Sequence, residues 1–468
     1  MFESFSRSFV WLRGSSPDLS FCCHLGLTLS VCLLALAASV CGQELKRAGF
    51  VGVRAGQLTD EVRARLHFTG DGVIVLGVVD GGSAKAAGLQ ADDIITQVGE
   101  HKVAGTDDFV ATVSRLRAGD QITIHFVRGG AEQTVQLVVK PRPFESSPDA
   151  DTLYESVSVD GALRRVIVTV PKGEGRHPAI LYVNGIGCFS QESLDLSTPD
   201  AKLLYGLTRA GFVTMRVEKS GMGDSQGPPC LSPAADLQAE LRGYVAGLKA
   251  LKDYPFVDPG NVFVVGLSIG GVEAPLVAEQ VPVKGLVVVN TVAKPFLEYL
   301  IDTRRRQNLL RHVPFDEMEG RLRLNEQCNH RLVVEREPPE QLLKEMPGCA
   351  DYVSYPAPYT YMQQWAALSP AEEWKRVDAP VLVVYGTSDF ISTIADDPYL
   401  ADIINSFHPG RATLKAIPGM DHYMTRAASM EESMTRAAGA RAEFEPAVLE
   451  AVKGWLQHQL SQPTPANR

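Results

Sequence analysis

Residues 262–271 read VFVVGLSIGG, and the next nine, VEAPLVAEQ, run to Gln280. Four β-forming residues, Val262 to Val265, lead into Gly266-Leu267-Ser268-Ile269-Gly270, and the apolar, small and acidic residues that follow suit a helix. The expectation is a strand, a tight turn at Ser268 and a helix over Ile269–Gln280. Such a turn needs glycine on both sides of the serine, because the backbone reverses sharply and strand and helix come too close for side chains. The serine hydroxyl then stands at the positive end of a helix, where the Ile269 amide can hold a developing oxyanion.

Other apolar runs of the same character surround this one: VIVTV (166–170), AILYVNG (179–185), FVTMRVE (212–218), GLVVVN (285–290), VLVVYG (381–386) and TLKAIPG (413–419). Near-continuous Val/Ile/Leu segments mark strands buried on both faces, hence a parallel sheet with helices on each side. Helices are expected at Thr198–Ala210, Ala234–Lys252 and Ala447–Leu460.

Serine is a weak nucleophile at neutral pH. It needs an imidazole base, and the imidazole needs a carboxylate to fix its tautomer. Asp389 closes VLVVYGTSD and His422 follows TLKAIPGMD, each at the carboxyl end of an expected strand, where parallel sheets assemble their sites. Rival readings stay open: Asp389 as a helix N-cap with Asp396 or Asp397 as the acid, and His408 in place of His422. Asp421 reads as solvated. Glu273 either lines a pocket or fills a packing gap.

The order Ser268, Asp389, His422 and these contexts resemble the α/β-hydrolase fold over about residues 155–460. Within RVEKSGMGDSQG (216–227), Glu218, Gly221, Gly223 and Ser225 are similar in type to the turn after the fourth strand in lipases, esterases and aminopeptidases of that fold. Asn184-Gly185-Ile186-Gly187 occupies the place of the family's His-Gly-x-Gly, which implies the Ile186 amide as the second oxyanion donor beside Ile269. Asn184 in place of His, and Leu267 where His or an aromatic is common, depart from the pattern. Residues 293–370 exceed a standard crossover and suggest a cap. Its Arg304-Arg305-Arg306 run reads as a solvated face. Its aromatics Tyr352, Tyr355, Tyr359, Tyr361 and Trp365 either wall a pocket or pack the cap.

Residues 45–140 differ in texture: short β-type runs FVGV, GVIVLGVV, DIITQVG, ITIHFVR and TVQLVV, with helices expected at Ser83–Ala87 and Thr106–Leu116. GFVGV and GVIVLGVVDGGSAKAAGLQADDIITQVGEHKV are similar to a PDZ domain of the HtrA type. The resemblance implies that the loop Phe50, Val51, Gly52 and Val53 binds the carboxylate of a protein C-terminus while the peptide adds a strand to the sheet edge. The plainer reading is a buried strand start in a spacer or dimer contact. Residues 141–152, PRPFESSPDADT, read as a linker.

Upstream, residues 21–40 form an uncharged, Leu/Ala-rich run preceded by Arg7 and Arg13, so residues 1–42 read as a cleaved signal peptide or a membrane anchor. Val40 before Cys41 fits lipidation poorly. Of eight cysteines, Cys188, Cys230, Cys328 and Cys349 fall in the folded part. They read either as two disulfides, with sequence proximity favouring Cys188–Cys230 and Cys328–Cys349, or as four buried thiols. No cysteine or histidine spacing suggests a metal.

A net charge of −10 argues against binding nucleic acid by phosphate neutralisation. With 45% apolar and 21% charged residues the body of the chain folds. The sequence therefore points to an exported serine hydrolase, periplasmic or extracellular, that meets a membrane only through an uncleaved leader. It would cleave a small carboxylic ester through an acyl-enzyme, with neither metal nor organic cofactor. A serine peptidase of peptide substrates, and a catalytically silent PDZ scaffold, are the competing readings.

Overall fold

The computed structural model describes residues 45–392, 395–436 and 442–462. The leader expected at residues 1–42 lies outside them.

The amino-terminal region holds β1 (Gly49–Phe50), β2 (Val53–Gly56), α1 (Asp60–Leu66), β3 (Val73–Val78), α2 (Ser83–Ala86), β4 (Ile94–Val98), β5 (His101–Lys102), α3 (Thr106–Ser114), β6 (Gln121–Arg128), β7 (Ala131–Val138) and β8 (Lys140–Pro141). Its sheet runs β2-β3-β4-β6-β7 with β5 on β4, while β1 pairs with β8. Val73, Val75, Ile95, Phe109, Ile124 and Leu137 form its core. The helix α1 was not foreseen because it buries no residue and so carries no periodic signal. Thr59 caps its first turn and His67, at φ 51°, closes it. FVGV is not one strand: Gly52, at φ +74°, separates β1 from β2.

The stretch expected to be a linker is firmly held. Arg142 pairs with Glu192 at 2.9 Å. Glu145 is buried, taking Arg216 Nη1 at 2.7 Å and Arg216 Nη2 at 3.0 Å. The Tyr205 hydroxyl reaches the same carboxylate at 2.9 Å. Residues 150–152 already belong to a strand, β9 (Ala150–Val159). A short polar stretch can therefore be rich in Pro and Ser and still be pinned, when one of its carboxylates, Glu145, meets the buried Arg216 guanidinium.

After β9 come β10 (Ala162–Pro171), β11 (His177–Val183), α4 (Pro199–Arg209), β12 (Val213–Val217), α5 (Leu237–Asp253), β13 (Val257–Leu267), α6 (Ile269–Gln280) and β14 (Gly285–Val289). The eight-stranded sheet is completed by β15 (Val381–Gly386) and β16 (Ala412–Ile417), in the order β16-β15-β14-β13-β11-β12-β10-β9. From β11 to β16 neighbouring strands are parallel. β10 is antiparallel to both β9 and β12, a direction that apolar runs alone do not reveal. Alternate residues feed two cores. Leu181, Val264, Val288 and Val383 face α5, α6 and the cap, and Ile180, Val265, Val287 and Val384 face the other side. There α4 and the last helix, α15 (Pro446–Ser461), cover them.

The insertion between β14 and β15 is helical among the described residues: α7 (Phe296–Leu310), α8 (Phe315–Asn329), a π-turn at His330–Val334, α9 (Pro339–Glu345), α10 (Ala350–Val353), α11 (Tyr359–Ala366) and α12 (Pro370–Lys375). Its aromatics pack inward, with the rings of Phe296 and Trp365 4.5 Å apart and Tyr361 buried. Two disulfides, Cys188–Cys230 and Cys328–Cys349, exclude the reading of four thiols. The remaining helices are α13 (Asp396–Phe407), after β15, and α14 (Met430–Thr435), after β16.

Candidate active site

Ser268 sits between β13 and α6 at φ 56°, ψ −123°, a conformation that costs a non-glycine residue on the order of 1–3 kcal/mol. Glycines around it let the turn close. A Cβ at Gly266 would stand 2.3 Å from the Gly270 carbonyl oxygen, one at Gly270 2.1 Å from that of Val183, and one at Gly271 2.3 Å from Thr291 Oγ1. None of the three positions admits a side chain. The turn is tied down by Ser268 N to the Val289 carbonyl at 2.9 Å and by Thr291 Oγ1 donating to the Ser268 carbonyl at 2.9 Å.

At the carboxyl edge of the sheet, His422 Nε2 lies 3.0 Å from Ser268 Oγ, and His422 Nδ1 lies 2.8 Å from Asp389 Oδ2. His422 and Asp389 are both buried. Asp389 is fully occupied as an acceptor: Oδ1 takes the amides of Ile391 at 2.7 Å and Ser392 at 3.1 Å, and Oδ2 takes the Ser392 hydroxyl together with the imidazole. These four bonds fix the carboxylate beside the ring.

Asp396 and Asp397 are buried at the start of α13, where Asp397 receives the Thr291 amide at 3.4 Å. Burial, and next the charge of Asp389, push the Asp397 carboxyl well above the usual range. His408 follows the far end of α13 and meets the Lys375 carbonyl at 2.9 Å.

Two sequence readings need correction. Asp421 is not solvated. It is buried and accepts from the Thr425 amide at 2.9 Å, Thr425 Oγ1 at 2.8 Å, Ser433 Oγ at 3.0 Å and Arg436 Nη1 at 2.9 Å, which shapes the loop presenting His422. Nor is Arg306 on a solvated face. From α7 it donates to the carbonyls of Ile391 at 2.9 Å and Phe390 at 3.3 Å, bracing the turn that carries Asp389. A run of charges discloses nothing about which member points inward, so neither role was visible beforehand. Glu273 fills a packing gap between α6 and α11: it is buried, takes the Tyr361 hydroxyl at 3.2 Å, and burial raises its pKa well above normal.

The loop after β11 passes the serine closely, since a Cβ at Gly185 would stand 3.5 Å from Ser268 Cβ. Asn184 fixes that loop, accepting the Gly185 amide at 2.6 Å and donating to Gln191 Oε1 at 2.9 Å. Lys219, paired with Glu240 at 2.7 Å, donates to the Gly185 carbonyl at 3.1 Å. Neither the Ile186 nor the Ile269 amide donates to a backbone carbonyl among the described residues. Ile269 opens α6, where first-turn amides lack intrahelical partners. Glu218, in the turn after β12, accepts the Gln191 amide at 3.0 Å, and burial pushes its carboxyl up to about 7.

In the amino-terminal region the Phe50 carbonyl takes the Ser83 hydroxyl, the Val51 carbonyl the Ala84 amide and the Gly52 carbonyl the Val79 amide, each at 2.8 Å. The amides of Val51 and Gly52 donate to no backbone carbonyl among the described residues. Val53 begins β2, an outer strand of its sheet.

A family model described as the alpha/beta hydrolase family matches residues 180–436. The chain belongs to that family. A PDZ domain model matches residues 49–139 of this alpha/beta hydrolase. Esterase EstD of Thermotoga maritima is 24% identical over 259 residues, 55% of this chain and 55% of that protein. A probable periplasmic serine protease do/HhoA-like of Haemophilus influenzae is 26% identical over 117 residues, 25% of this chain and 24% of that protein. The alpha/beta hydrolase thus spans about half the length of the first of these relatives and about a quarter of the second. Among solved structures, Est1E from Butyrivibrio proteoclasticus aligns at a TM-score of 0.42 and 16% identity, covering 66% of this chain and 99% of that one.

Proposed function

We propose that the protein is an exported serine hydrolase that cleaves carboxylic esters. His422 takes the proton of Ser268 as Oγ attacks the acyl carbon, and Asp389 holds the imidazole and offsets its positive charge. The tetrahedral oxyanion is received by the Ile186 and Ile269 amides. Its collapse expels the alcohol, protonated by His422. Water activated by the same imidazole then releases the acid.

The observation that carries this reading is the unbroken hydrogen-bonded line from Ser268 Oγ through His422 to Asp389, at 3.0 and 2.8 Å. The esterase relative supports an ester substrate, and two disulfides in the folded part support an oxidising compartment. The loop Phe50–Val53, with its two undonated amides beside an outer strand, is proposed to bind the terminal carboxylate of a protein.

Turnover of p-nitrophenyl butyrate and of aminoacyl p-nitroanilides by wild type and Ser268→Ala tests the reaction. Ester turnover lost in the variant is expected. Faster cleavage of the anilide than of the ester would transfer the assignment to a peptidase, and activity equal in both proteins would end it.

A further inference from the structure

Asn290 is the residue immediately after β14, buried, with φ 50°. Its side chain bonds through both amide hydrogens and through the carbonyl oxygen. Nδ2 donates to the carbonyls of Asp421 at 3.0 Å and His422 at 3.1 Å, and Oδ1 accepts the Gly386 amide at 2.8 Å. Gly386 ends β15, three residues before Asp389. The residue before Asn290, Val289, receives the Ser268 amide at 2.9 Å, and the residue after it, Thr291, donates to the Ser268 carbonyl at 2.9 Å. Three segments far apart in sequence, each bearing one of the three reacting groups, are therefore bonded to the tripeptide 289–291.

We propose that Asn290 is a positioning residue that holds the His422 and Asp389 segments in register with Ser268. The proposal rests on the Ser268–His422–Asp389 reading and adds a residue that touches none of the reacting atoms. The bonds it makes are buried, so water cannot replace them without entering the sheet edge, and a lost donor leaves two backbone carbonyls unpaired. A displacement of the imidazole by about 1 Å is enough to lower the rate about 100-fold. Asparagine also suits the left-handed φ of this position, and that is the competing explanation for its presence.

Glycine separates the two explanations, because it accepts φ 50° more readily than asparagine but has no amide to donate. Asn290→Gly and Asn290→Asp are compared with wild type in the full chain. The aspartate keeps the shape and the acceptor for Gly386 but offers no donor when ionised and only one when protonated, and it decides the matter should the glycine variant fail to fold. Melting temperature is read alongside p-nitrophenyl butyrate kinetics and the rate of fluorophosphonate labelling.

The expected result is a folded protein with kcat lower by about 100-fold, KM within about twofold of wild type, and labelling of Ser268 slowed in parallel. A kcat within about twofold of wild type, or a loss carried by KM alone, overturns the proposal. Wild type that takes no label at Ser268 would bring down the parent reading and this one with it. Full wild-type labelling with undiminished turnover in Asn290→Gly removes the role of Asn290 alone.

Discussion

Gly270 has no room for a methyl group, because the Val183 carbonyl oxygen would lie 2.1 Å from it. Gly270→Ala must therefore push β11 from α6 or twist Ser268 out of its turn. Labelling by a fluorophosphonate is expected to be lost together with a drop in melting temperature, and a fully labelled, equally stable variant would contradict the steric account. Glu218 makes a prediction about pH. Burial raises its folded pKa to about 7 from an ordinary 4.5, so the folded state binds its proton more tightly than the unfolded chain does. The contribution is fully present below about pH 4.5 and is lost as pH rises through 7, on the order of 3 kcal/mol in all. Glu218 also accepts the Ser190 hydroxyl, so Glu218→Gln, which keeps a neutral partner for Ser190 and Gln191, should match wild type in acid and melt several degrees higher at pH 8. Parallel melting curves across that range would show that Glu218 binds its proton no more tightly in the folded protein than in the unfolded chain. At this scale the meeting of Ser268, Asp389 and His422 at one sheet edge was legible, because each follows a strand whose apolar run fixes where it ends. Asn290, Arg306 and Asp421 were not, since their roles depend on which carbonyls and hydroxyls the fold brings to them.

The strands of the main sheet could be read from apolar runs because both faces are buried, as Val287 and Val288 on opposite sides of β14 illustrate. Strand direction could not: burial is the same for parallel and antiparallel neighbours, and the reversal of β10 against β9 and β12 leaves no trace in composition. The loop after β11 owes its position to a covalent tie as well as to Asn184. Cys188, two residues beyond Ile186, is joined to Cys230 in the segment after β12. Replacing both cysteines by serine frees a closed loop with a sequence separation of 42, and is expected to cost about 2–5 kcal/mol and to lower kcat by loosening the Ile186 amide. The same change at Cys328 and Cys349, within the cap, should lower stability but leave the labelling rate at Ser268 near wild type. Equal effects of the two pairs on labelling would refute a role for the first in holding the loop.

Across the whole molecule the amino-terminal region is bolted to the hydrolase sheet rather than tethered to it. Arg47 Nη1 meets Asp224 Oδ2 at 3.0 Å, Arg165 Nε meets the same oxygen at 2.9 Å, and the Ala48 amide donates to Asp224 Oδ1 at 2.7 Å. Arg47 also pairs with Glu192. All four side chains are nearly removed from solvent, so taking away one charge strands its partners. Asp224→Asn is expected to destabilise the protein by about 3–5 kcal/mol and to split a single calorimetric transition into two. One unshifted transition in the variant would show that the contact carries no coupling. Polar composition made residues 141–152 look like a free connection, because the sequence cannot show that Glu145 and Arg142 find buried partners. The central claim is chemical, and one measurement meets it directly: mass spectrometry of the peptide that carries the adduct after fluorophosphonate treatment of the folded protein. The account predicts about one equivalent of label on Ser268, abolished in His422→Ala and in Ser268→Ala. Label on another residue, or undiminished label in either variant, would contradict it.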